Sequence, residues 1–391
     1  MHSSPLRDLH AKGGARVFSP RALDPNAPPG AATPVLTYGD VPGEYAAART
    51  GALLLDVSER GLVRLTGADT EGFLHRILAN HVKGLAPDTG NRNLLLSGKG
   101  KVVHDFDLAR TGPTTFEAST PPGEAQRLVA SLDLYLFTED TALEDATEEH
   151  APLELVGPAA RDVVARALAS GGDGPFALPE AAIGTQLATP PPAPHPAQTF
   201  ATAAHGAVRV TALEVAGEPG LRLEPSPAAA PGLWQALVAA GARPGGLVAW
   251  DSLRAERVVA ASGRDVSAEV YPQEARLEDA FALDKGCYIG QEVVAKIDTY
   301  GGLNKRLMLL RVDHDEPVSP GTRLVARDAG EARDLGLVTT WAYSFALDGG
   351  VVLGYVKRKH QDEGRAFELV APGASEASGR ATIVAAPAQP R

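Results

Sequence analysis

One segment gathers most of the residue types able to do chemistry: Lys285-Gly286-Cys287-Tyr288-Ile289-Gly290-Gln291-Glu292. Cys287 is the only cysteine in the chain. Two glycines bracket the thiol, a lysine stands two residues before it, and the run from Gln291 to Ile297 reads as a helix. Glu292 and Lys296 are four apart, in the order that supports that helix. A thiol beside a helix N-terminus and an ammonium ionises more readily, because both favour the thiolate. A cysteine that merely fills a core gains nothing from flanking glycines, so the pattern predicts a turn that exposes the sulfur and lets backbone approach a ligand. These residues leave the thiol's role open between nucleophile, redox partner and transient metal–sulfur ligand. A cluster held by this chain alone is not expected, since such clusters take several thiolates.

Three other places carry candidate groups. In the helical segment Leu247–Val259, Glu256 shares an apolar stripe with Leu253 and Val259, so its carboxylate needs a partner. Arg254 and Arg257 are the nearby cations. The strand-like Gly100–Asp107 contains His104-Asp105, with His104 read as a packing histidine and Asp105 as a hydrogen-bonding carboxylate. Lys305 and Arg306 precede a run of short apolar segments and form a paired cation suited to carboxylates. Absent are a Walker-type phosphate loop, a Gly-x-Ser-x-Gly elbow, a His-Glu-x-x-His helix and any cysteine or histidine spacing for a metal.

The chain has 391 residues, 44% hydrophobic and 22% charged, enough for two or three soluble domains. A net charge of −11 argues against a broad nucleic-acid or anionic-membrane surface. No apolar run approaches the roughly 18 residues of a membrane span. One cysteine permits no internal disulfide and fits a reducing, cytoplasmic setting. Residues 1–34, rich in Pro and Gly, read as a disordered tail. Residues 35–300 form the main region, interrupted by a flexible Pro-rich insertion at 171–197. From 301 to 391 short apolar runs at 307–312, 322–326, 335–341, 351–356 and 366–370, spaced by turn residues, predict a small antiparallel β-barrel.

The octapeptide, followed by Gly301-Gly302-Leu303-Asn304-Lys305-Arg306, closely resembles the signature of the YgfZ-type folate-binding proteins, a branch of the glycine-cleavage T-protein (aminomethyltransferase) superfamily. Leu55-Asp56-Val57-Ser58, Gly67-Ala68-Asp69, Gly217-Glu218-Pro219-Gly220 and Asp251-Ser252-Leu253-Arg254-Ala255-Glu256 resemble the wider superfamily in the same order. The resemblance implies an α+β, T-protein-like folate-binding core around a central opening, with a C-terminal antiparallel β-barrel. It also implies tetrahydrofolate or a one-carbon derivative as cofactor. It gives Glu256 the pterin, whose amino-pyrimidinone edge offers an N–H pair to a carboxylate. Arg254, Lys285, Tyr288 and Gln291 then belong to the cofactor site, and Cys287 and Asp105 to the chemistry.

In the YgfZ branch the implied role is support of iron–sulfur enzyme assembly or repair, with those enzymes or assembly factors as partners. Aminomethyltransferases of the superfamily carry two adjacent aspartates where this chain has His104-Asp105, and they lack the Cys-Tyr pair. The expectation is therefore a cytoplasmic folate-binding protein that supports iron–sulfur enzymes. The alternatives are an aminomethyltransferase moving a one-carbon unit to tetrahydrofolate and a non-catalytic folate sensor.

Overall fold

Alternation in two adjoining segments shows how the main sheet is built. Along Gly206–Val215, Val208, Val210 and Ala212 point one way and Arg209 and Thr211 the other. Along Glu218–Glu224, Leu221 and Leu223 point toward the same side as the valines, and Arg222 and Glu224 away. The two strands are joined by Ala216-Gly217, both left-handed (φ 53° and 82°), the conformation a two-residue hairpin needs. Their apolar side packs on the helices Ala160–Ala169 and Ala230–Ala239 through Val163, Val164, Leu168, Leu233, Trp234 and Leu237.

A computed structural model describes residues 4–18, 33–169, 194–328 and 331–387. The chain packs as two units. One runs to Asn93 and resumes from His104 to Ala249; the other combines Leu94–Val103 with Trp250 onward. The eleven-stranded sheet runs Arg243–Pro244, Leu53–Asp56, Leu153–Val156, Glu218–Glu224, Gly206–Val215, His195–Thr202, Thr89–Leu96, Val102–Arg110, Thr115–Thr120, Gly61–Thr66 and Ala142–Asp145.

The second unit contains the expected barrel, closed and antiparallel. Its strand order is Lys305–Val312, Gly349–Lys357, Glu331–Ser344, Arg323–Asp328, Ala366–Val370 and Gly379–Ile383. Leu310, Val352, Val356, Phe367 and Leu369 fill its interior. The sixth strand, Gly379–Ile383, shows no apolar run in the sequence; it closes the barrel by burying only Ala381 and Ile383.

The N-terminal expectation needs correction. Residues 4–18 are packed: Arg7–Lys12 is a helix, Leu6 enters the core of the first unit, and Arg16–Val17 pairs with Val35–Thr37. His10 explains the attachment. Its Nδ1 lies 2.6 Å from the Tyr38 hydroxyl and its Nε2 2.7 Å from Asp56 Oδ2, which also accepts from Ser4. Residues 19–32 and most of the expected insertion lie outside the described residues, and the insertion's last three positions belong to the strand His195–Thr202.

Candidate functional site

The two glycines of the cysteine turn have different reasons to be glycine. Gly290, at φ 80°, caps the helix Gln291–Tyr300. A Cβ there would stand 2.5 Å from Ser97 O and 2.9 Å from Gly100 Cα, so the Ser97–Lys101 turn packs backbone to backbone against it. Gly286, at φ 94°, faces open space and is required by conformation alone. Between these points the chain alternates burial and exposure. Lys285 and Tyr288 are buried (8% and 7% exposed), while Cys287 is exposed. The thiol therefore projects from a turn whose flanking side chains anchor it.

The Lys285 ammonium lies 5.0 Å from the centre of the Tyr288 ring, a cation–π seat. Burial lowers Lys285 to about 8 and raises Tyr288 to about 12. The amine stays mostly protonated near pH 7 but releases its proton more easily than an exposed lysine, and the phenol stays neutral. The Tyr288 hydroxyl is buried without a hydrogen-bond partner among the described residues. Gln291 opens the helix, half-buried, and Glu292 meets Lys296 at 2.5 Å as the four-residue spacing predicts.

Arg254 and Glu256 also belong to the second unit, but both are completely buried. Arg254 donates from Nε to Asp251 (2.6 Å), from Nη1 to Asp265 (2.6 Å) and from Nη2 to Thr340 (2.8 Å). Glu256 accepts from the Ser344 hydroxyl (2.8 Å) and from the Ala346 N–H (3.0 Å). The partner expected for Glu256 was a pterin or a nearby cation; here two donors of a barrel turn occupy that carboxylate. Arg254, expected at the cofactor, is a tie between helix and barrel with no exposed surface.

Asp105 belongs to the first unit. Arg92 holds it in two-point fashion, Nε to Oδ1 at 2.8 Å and Nη2 to Oδ2 at 2.7 Å. His104 lies 2.9 Å from the Ser131 hydroxyl and 3.4 Å from Glu124, and burial lowers its pKa, leaving a neutral packing group at pH 7.

Sequence reasoning missed a buried charge network beside Asp105. Arg222 donates twice to Glu154 (2.9 and 2.7 Å) and once to Asp107 (2.8 Å). Arg60 adds bonds to Asp107 and Ser119. Burial pushes the Asp107 carboxyl up, but Arg222 and Arg60 overcome this and hold it far below the ordinary carboxylate range. The signal was present as charges two apart in strand segments: Asp105 and Asp107, Arg222 and Glu224. Such spacing places them on one face of a sheet.

Comparison with known proteins places this architecture. Residues 35–285 match the GCVT N-terminal domain and residues 305–388 the glycine cleavage T-protein C-terminal barrel domain. An aminomethyltransferase of Saccharopolyspora erythraea is 28% identical over 94% of this chain and 93% of its own. A putative chloroplastic transferase of Arabidopsis thaliana is 26% identical over 79% of this chain and 66% of its own. The crystal structure of the glycine cleavage system aminomethyltransferase T of Bartonella henselae matches with a TM-score of 0.77 at 22% identity, covering 98% of this chain and 96% of that one. Among the described residues no helix is long and apolar enough to cross a membrane. With both domain families matched in order, this chain belongs to the glycine-cleavage T-protein family.

Proposed function

We propose that the chain binds a reduced folate, tetrahydrofolate or a one-carbon derivative, and acts in one-carbon transfer of the aminomethyl type. The observation that carries this reading is the family match along nearly the whole chain, with relatives named aminomethyltransferase on that same span. One feature of the first unit fits such a ligand. Asp105 is an acceptor held in one orientation by Arg92, suited to fixing an N–H of the folate. The folate would supply the nitrogen that carries the one-carbon unit; the protein's task is to hold it and to exclude water.

One observation favours a second reading, the YgfZ-type support of iron–sulfur enzymes. Cys287 is exposed on a turn built from two left-handed glycines, an arrangement that aminomethyl transfer leaves without a task. In this reading the thiol meets iron–sulfur enzymes or assembly factors while folate occupies the same protein. A pure folate sensor would use neither the thiol nor Asp105 in turnover.

Purified protein, tetrahydrofolate and an aminomethyl-loaded lipoyl carrier distinguish these readings, with methylene-tetrahydrofolate as the readout. Turnover that survives Cys287→Ala and is lost in Asp105→Asn establishes aminomethyl transfer. Saturable folate binding without turnover refutes it. Aconitase-type activity in cells carrying Cys287→Ala then separates the iron–sulfur role from the sensor. No saturable folate binding refutes all three.

A further inference from the structure

The charged face of the first unit leaves one cation poorly served. Arg209 sits across from Glu224 in the strand register, their side chains only 12% and 15% exposed. Nη1 lies 3.5 Å from Glu224, while Nε and Nη2 are buried with no hydrogen-bond partner among the described residues. Arg222, two pairs along the same hairpin, uses Nε, Nη1 and Nη2 together. A buried guanidinium loses its hydration and needs acceptors in exchange. On Arg209 the unserved edge is the parallel Nε–H and Nη2–H pair, whose spacing matches the two oxygens of a carboxylate.

Space exists for such a ligand. Arg209 and Glu224 line a narrow cleft of about 30 Å³ together with Asn91, Asp107, Ser119 and Arg222. They also line a wider, more open cavity of about 260 Å³ that reaches Glu149, His150 and Ser226. The two spaces share Leu62, Glu117, Arg209 and Glu224, so Arg209 borders both.

Charge selects among anions. Asp107 is held by Arg222 and Arg60, and Glu117 lies 3.3 Å from Arg64. Glu224 has no such two-point partner; burial raises its pKa more than Arg209 and Arg222 lower it. A dianion among these carboxylates would be opposed, whereas a monoanion matches the single unserved cation.

We propose that Arg209 grips the carboxylate of a small monocarboxylic ligand, of formate to glycine size, in this cleft through Nε and Nη2. The titration is run without folate, so its outcome does not depend on the folate reading. The test is calorimetric and ¹³C NMR titration of the full chain with formate, acetate, glycine and inorganic phosphate. At least one of the three carboxylates should bind saturably, and phosphate more weakly. Arg209→Gln should weaken that binding at least about tenfold, the loss expected when a two-point charged hydrogen bond disappears. Arg209→Lys keeps the charge without the fork and should weaken it similarly. Absence of saturable binding of all three carboxylates below about 10 mM overturns the proposal. So does phosphate binding as tightly as the carboxylates, or a lysine variant that matches wild type. Should the glutamine variant fail to fold, the wild-type titration and the lysine variant still decide.

Discussion

Glu256 offers the sharpest test of structure against family expectation. Its carboxylate is fully buried and accepts from Ser344 Oγ at 2.8 Å and from Ala346 N at 3.0 Å. Ser344 in turn accepts from the Leu347 N–H at 3.1 Å, so the carboxylate anchors a turn of the barrel. Glu256→Ala removes two charge-assisted hydrogen bonds and leaves a buried hydroxyl and a partly buried N–H to find other partners. Hydrogen bonds to a charged group are each worth roughly 1.5–3 kcal/mol, which gives a loss of about 3–6 kcal/mol for the two. With an m-value of about 3 kcal/mol/M, the urea midpoint should fall by about 1 M or more. Glu256→Gln keeps an acceptor of the same shape and should cost about 1 kcal/mol. Urea unfolding followed by circular dichroism, run beside a tetrahydrofolate titration, checks both quantities. An alanine variant that unfolds at the wild-type midpoint yet loses folate affinity would refute the reasoning and return Glu256 to the pterin.

The turn around Cys287 yields three further expectations. Gly286→Ala should cost about 1–2 kcal/mol, because only its left-handed backbone is penalised; Gly290→Ala should cost clearly more, because its Cβ also meets Ser97 O. Comparative thermal melts check the order of the two variants. Lys285 has a folded pKa of about 8, below its unfolded value, so between about pH 8 and 10 the unfolded chain holds a proton that the folded one has released. Stability should therefore rise with pH across that window, by on the order of 2 kcal/mol, and the rise should be smaller in Lys285→Met; parallel slopes in the two proteins would remove the burial argument. Native protein should react with a disulfide thiol reagent at one site without denaturant, because Cys287 is exposed, and labelling that requires unfolding would contradict this.

Much of the barrel was legible because its strands follow local rules. Five of its six strands contain apolar runs bounded by turn residues, and the sixth escaped because it buries two residues only. The cysteine turn was legible for a similar reason: glycine spacing is a local statement about backbone conformation, and both glycines have positive φ. The N-terminal helix was not legible. Leu6 and His10 are isolated in a Pro- and Gly-rich stretch, and their partners Tyr38 and Asp56 lie 28 and 46 residues from His10.

The same separation explains why the charged groups were harder to assign than the apolar ones. A valine on a strand needs only an apolar neighbourhood, so its burial can be read from alternation alone. A buried arginine needs particular acceptors, and Arg222 finds them 115 residues away at Asp107 and 68 residues away at Glu154. Glu256 finds Ser344 at a separation of 88. The stripe position of Glu256 correctly demanded a partner, because an unpaired buried carboxylate is too costly to persist. It could not say whether that partner was a ligand or the protein itself. For Glu256 the fold supplies donors; for Arg209 the described residues leave two N–H groups without acceptors. Once the fold has placed its partners, unmet hydrogen-bonding capacity therefore points to a ligand more directly than charge or motif does.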